Sequence, residues 1–224
     1  MLRILIALLS FLSADDRGKP AKDMNCLTYL ALGDSYTIGE GVPIHESFPY
    51  LLVQKLRARG VSVCAPEIVA KTGWTTDELR AGMDKTKFLD RRYDIVTLLI
   101  GVNNQYRGRS AEAYAGEFEG LLKDAIAKAG GDRSRVFVIS IPDWGVTPFA
   151  EGRDRKKIAG EIDAFNAVNK RITDAYGVAY VDITPGTRLA VKDLSILAED
   201  KLHPSGKEYG RWADLLAGVM SSLR

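Results

Sequence analysis

Ile95-Val96-Thr97-Leu98-Leu99-Ile100 is the stretch on which the fold turns. Apart from Thr97 it is an unbroken aliphatic run of strand length, closed by Gly101. A half-exposed strand alternates apolar with polar residues, whereas one that does not alternate is buried on both faces, as in a parallel sheet covered by helices. Val136-Phe137-Val138-Ile139-Ser140-Ile141 reads the same way, so the two runs are expected at the centre of the sheet. Outward from them lie three further strand candidates, Leu27 to Leu32, Val61 to Ala70 and Val178 to Ile183.

The segments between these runs read as helices with their own start and stop signals. Ser47 and Pro49 head a helix that Gly60 ends, and Thr75 with Glu78 forms a capping box. Tyr114, Phe118, Leu121, Leu122 and Ala125 share one helical face; Ile158, Ile162, Phe165, Ile172 and Tyr176 share another. A second capping box, Ser205 with Glu208, opens the last helix. Strand and helix in alternation give an α/β protein: a three-layer α/β/α sandwich around a five-stranded parallel sheet, flavodoxin-like in strand order 2-1-3-4-5.

The chain has 224 residues, 46% of them hydrophobic, enough for one domain with a full core. With 31 basic against 29 acidic residues it lacks the positive excess that neutralises a phosphate backbone, so nucleic acid is not an expected partner. Cys26, Cys64, His45 and His203 show no zinc-ligand spacing, and no metal is expected. Walker and dinucleotide glycine motifs are absent too, so no cofactor is implied.

In an open parallel sheet, reactive groups gather in the loops after the carboxyl ends of the strands. Here those loops hold Gly33-Asp34-Ser35-Tyr36, then Gly73, then Gly101-Val102-Asn103-Asn104, and finally Asp200-Lys201-Leu202-His203 ahead of the last helix. Acyl transfer by serine needs a nucleophile, an imidazole base, a carboxylate to orient it, and donors for the oxyanion. Ser35, His203 and Asp200 supply the first three. The N–H groups of Ser35 and Gly73, with the Asn103 amide, are candidate donors to the oxyanion. Trp74, Trp144 and Phe149 lie near strand ends and are candidates for an acyl pocket, although packing in the core explains large aromatics as readily. His45 reads as an exposed loop histidine.

Gly-Asp-Ser-Tyr, the later Gly, Gly-x-Asn-x and Asp-x-x-His resemble the four blocks of the SGNH/GDSL hydrolase superfamily, from Leu27 to the C-terminus. The resemblance implies that Ser35, Gly73, Asn103 and His203 are the four residues that name it, with Asp200 as the acid. Gly101 to Gly108, including Arg107, is similar to the corresponding block of the bacterial multifunctional thioesterase/lysophospholipases, where the third block usually ends in Asp rather than Asn104. Asn104 and Arg107 are therefore candidate substrate contacts. The expected partner is a small acyl ester, such as a lysophospholipid or small lipid ester. Two alternatives remain: a carbohydrate O-acetylesterase, and a binding module that has kept the fold and lost turnover.

Residues 1–23 read as a leader and linker. Arg3 precedes an apolar run from Ile4 to Leu12, then Ser13-Ala14, in the layout of a signal peptide. The run is well short of the ~18 residues of a spanning helix, so no stable membrane anchor is expected. Translation from Met24 would instead give a cytoplasmic domain over 24–224. If the first two strands are neighbours, Cys26 and Cys64 lie side by side at the ends of those strands opposite Ser35 and Gly73, within reach of a disulfide. Two buried thiols are the alternative, favoured in the cytoplasm.

Overall fold

The computed structural model describes residues 26–86 and 91–220. The leader expected over 1–23 lies outside them. Strands β1 (Tyr29–Asp34), β2 (Glu67–Lys71), β3 (Ile95–Leu99), β4 (Val136–Ile139) and β5 (Ala179–Val181) form one parallel sheet in the order β2-β1-β3-β4-β5. Every residue of β3 and β4 is buried, as their unbroken apolar runs require. Burying each such aliphatic side chain is worth about 1.5–3 kcal/mol. Thr97, the polar exception, is satisfied by the Tyr29 hydroxyl at 2.9 Å.

Strand boundaries moved where proline or a helix start intervened. The second strand, expected from Val61, begins only at Glu67, because Pro66 has no N–H for the ladder; upstream of it only Val63 pairs, with Leu27. The first strand runs two residues beyond Leu32 to Asp34, so that Ser35 follows the sheet directly.

Crossovers in parallel sheets are right-handed, so connections that run in opposite directions along the sheet fall on opposite faces. On one face, α2 (Phe48–Ala58) packs against the last helix, Gly206–Val219, through Phe48 with Tyr209 and Trp212. On the other lie α3 (Thr76–Asp84), α5 (Ala111–Lys128) and α6 (Arg155–Ala175), where Tyr114 meets Phe118 and Phe165. Short helices α1 (Ser35–Ile38), α4 (Val102–Tyr106) and α7 (Thr184–Thr187) sit in the loops, and Gly206–Val219 is α8. No helix of the described residues is long and apolar enough to cross a membrane.

The capping box of Thr75 and Glu78 is formed. That of Ser205 and Glu208 is not. The Ser205 N–H already donates to the Ile196 carbonyl at 2.8 Å, leaving Glu208 no donor to reach back to. Glu208 instead accepts from Arg211 and the Trp212 indole, and the Ser205 hydroxyl donates to the Ser195 carbonyl.

Candidate active site

At the carboxyl end of β1, each residue of Gly33-Asp34-Ser35 has a separate task. A Cβ on Gly33 would stand 2.1 Å from Thr37 Oγ1 and 2.5 Å from the Leu99 carbonyl, so only glycine lets α1 fold back this tightly against β3. Asp34 caps α1 by accepting the Tyr36 N–H at 3.0 Å. Ser35 then opens the helix, which leaves its own N–H without a partner inside it.

Across the sheet edge, Ser35 Oγ lies 3.0 Å from His203 Nε2, and His203 Nδ1 lies 2.6 Å from Asp200 Oδ2. A carboxylate only accepts, so Nδ1 carries the imidazole proton and Nε2 is left to accept from the serine hydroxyl. Asp200 is itself clamped, because its Oδ1 accepts the N–H groups of Leu202 and His203, both at 2.9 Å. This tight turn requires a positive φ of 60° at Lys201. Partial burial raises the Asp200 pKa, but hydrogen bonds from the His203 ring and the two N–H groups outweigh it and hold the carboxyl below its ordinary value. Tyr36 packs on the imidazole with ring centroids 4.9 Å apart.

These groups open on a cavity of about 160 Å³. Its polar end is formed by Ser35, His203, Gly73 and Asn103, and its wall by Tyr106, Trp144 and Phe149, with Val102 and Leu202 between. Gly73 takes a φ of 82°. Asn103 Nδ2 donates to the Trp74 carbonyl at 3.0 Å and lies 3.4 Å from Asp34 Oδ2. Burial pushes the Asp34 carboxyl up to about 7, against the opposing pull of its hydrogen bonds. A row of hydroxyl, imidazole and carboxylate of this kind can make serine nucleophilic, and donors beside it can stabilise an oxyanion. Among the described residues no group of three or more His, Cys, Asp or Glu side chains is gathered to hold a metal ion.

The expected substrate contacts divide. Trp144 and Phe149 line the cavity, whereas Trp74 does not; its indole occupies the space beside Gly82 on α3, where a Cβ would meet it at 2.2 Å. Asn104 faces away from the cavity. Fully buried, it accepts the Thr76 N–H at 3.1 Å and donates to Thr76 Oγ1 at 2.6 Å, tying α4 to the start of α3. Arg107 braces the site from outside, donating to the Gly73 carbonyl at 2.7 Å and pairing with Glu78 at 3.2 Å. His45 is exposed and pairs only weakly with Glu46. Sequence reading missed Tyr106, which reaches the cavity because Val102–Tyr106 is helical and returns residue 106 to the side of Asn103 one turn later.

The arrangement is that of an α/β/α-sandwich hydrolase. The chain belongs to the GDSL-like lipase/acylhydrolase family, whose family model matches residues 31–211. No curated protein sequence matches it. Among solved structures it is similar to TesA, at 17% identity and a TM-score of 0.67, covering 88% of this chain and 99% of that one. It is also similar to the psychrotrophic esterase EstA from Pseudoalteromonas sp., at 18% identity and a TM-score of 0.62 over 87% and 96% of the two chains. A third likeness is to a variant of Axe2, an acetyl-xylooligosaccharide esterase from Geobacillus Stearmophilus, at 20% identity and a TM-score of 0.64 over 88% and 96%. At these identities the likeness is one of fold.

Proposed function

We propose that the chain is a serine hydrolase of carboxylic esters or thioesters, acting through an acyl-enzyme. The observation that carries this reading is the single hydrogen-bonded row of Ser35, His203 and Asp200 facing an apolar cavity. Ser35 Oγ attacks the substrate carbonyl carbon as its proton passes to His203 Nε2, while Asp200 holds the ring and stabilises the imidazolium. The developing oxyanion takes hydrogen bonds from the Ser35 and Gly73 N–H groups and from Asn103; the 3.4 Å contact to Asp34 is the one that a substrate oxygen would displace. Collapse breaks the bond to the alcohol or thiol, which leaves with the proton from His203. Water then repeats the sequence on the acyl-enzyme and releases the acid.

The aromatic wall and the cavity's modest volume support an apolar acyl group of limited length, as in small lipid esters. A carbohydrate O-acetylester is the second reading, favoured by the half-exposed faces of Tyr106 and Phe149, on which a sugar ring could lie. p-Nitrophenyl esters of graded chain length, run beside acetylated xylo-oligosaccharides, separate the two. Ser35→Ala should abolish cleavage of all of them and labelling by a fluorophosphonate. A folded Ser35→Ala protein that turns over at the wild-type rate would reject the assignment of the nucleophile, and an unlabelled, inactive wild type would favour a binding module.

A further inference from the structure

Three arginines around the cavity have their charges answered by carboxylates, and two, Arg155 and Arg153, do not among the described residues. Arg107 pairs with Glu78 at 3.2 Å, Arg109 with Asp77 at 2.7 Å, and Arg188 with the buried Asp143 at 2.9 Å. Arg155 spends two nitrogens on the carbonyls of Val146 and Thr147. Arg153 has no carboxylate within ion-pair distance among the described residues. The nearest acid in sequence, Asp154, is occupied in capping α6 through the Lys157 N–H at 2.9 Å.

Arg153 is nonetheless held in place, and by the wall of the cavity. Its guanidinium carbon lies 5.2 Å from the centre of the Tyr106 ring and 5.4 Å from that of Trp144, and Nη2 donates to the Tyr106 hydroxyl at 3.3 Å. Its place over the Tyr106 and Trp144 rings leaves most of its five N–H donors unspent. Trp144 is in turn held by its indole N–H, which donates to Gln105 at 2.7 Å. A substrate that fills the cavity and continues past the Tyr106 hydroxyl meets an exposed cation with no carboxylate partner among the described residues.

We propose that Arg153 is a specificity-determining residue that receives an anionic oxygen group, carboxylate or phosphate, borne by the substrate at a distance from the scissile carbonyl. This rests on the hydrolase reading above and names the class of ester or thioester that the site prefers. A planar guanidinium suits such oxygens because two parallel N–H groups meet two oxygens at once.

The test compares matched substrates on wild-type, Arg153→Gln and Arg153→Lys proteins. One pair places the charge on the acyl side: mono-p-nitrophenyl succinate against p-nitrophenyl butyrate. The other places it on the leaving group: butyryl-coenzyme A against the butyryl thioester of N-acetylcysteamine. In at least one pair, Arg153→Gln should lower the charged-to-neutral ratio of kcat/KM by tenfold or more, chiefly through KM. Arg153→Lys should restore part of the ratio, and added salt should lower the wild-type ratio. The pair that responds identifies which side of the ester carries the anion. Ratios unchanged in both pairs, including an equal loss on charged and neutral members, would overturn the proposal and leave Arg153 as packing for the aromatic wall. A wild type that cleaves none of the four overturns the hydrolase reading itself, and this proposal with it.

Discussion

Asp34 meets two opposed demands. Capping α1 calls for an acceptor at the end of β1, but full burial penalises the charge that makes carboxylate a strong one. Its pKa of about 7 in the folded protein lies above the ordinary 3.8, so between these values the folded state binds the proton more tightly than the unfolded chain. The contribution of this group to stability is therefore fully present in acid and is lost as pH rises toward and through about 7. At 1.36 kcal/mol per pK unit the loss is at most on the order of 4 kcal/mol. Asp34→Asn keeps an oxygen for the Tyr36 N–H and removes the charge, at some fixed cost where its amide faces that of Asn103. Its stability relative to wild type should rise between pH 5 and pH 8, by urea midpoints taken at both. A difference that does not change with pH would mean that Asp34 is ionised at little cost.

At the scale of elements, what could be read in advance was whatever local periodicity dictates. β3 and β4 were legible because a doubly buried strand has one signature, and the amphipathic helices because a single face must be apolar. The candidate residues Ser35, Gly73, Asn103 and His203 were legible because each follows a strand or precedes a helix, and those positions can be read from the order of elements. What escaped depends on contacts between elements. Nothing near Ser205 reveals that its N–H is taken by Ile196, and nothing near Asn104 reveals that Thr76 waits beside it. Asn104 gives the clearest test, since a substrate contact and a staple between elements fail differently. Asn104→Ala would orphan the buried N–H that opens α3, a loss of about 1–3 kcal/mol. KM for small esters should move little in the same variant. A tenfold rise in KM with stability unchanged would return Asn104 to the substrate.

Over the whole molecule, the sheet separates chemistry from anchorage. Ser35 and Gly73 lie beyond the carboxyl ends of β1 and β2, and Cys26 and Cys64 precede the amino ends of the same strands. The neighbouring strands bring the two cysteines to a Cα separation of 5.3 Å, where they are bridged, and Leu27 and Val63 pair just inside the bridge. Closing a loop of 38 residues removes chain entropy worth about 4 kcal/mol from the unfolded state on the chain-entropy account. Cys26→Ser with Cys64→Ser should therefore lower stability by a sizeable fraction of that. It should leave kcat on a small ester nearly unchanged, because the bridge touches neither Ser35 nor His203. A bridge that persists in use belongs to an oxidising compartment, and a chain led out by the Ile4 to Leu12 segment would mature in one. Protein recovered from the periplasm or medium, denatured without reductant, should then show no titratable thiol. Two thiols per chain would mean that the cysteines act as small apolar residues, and the argument for export would be left with the leader alone.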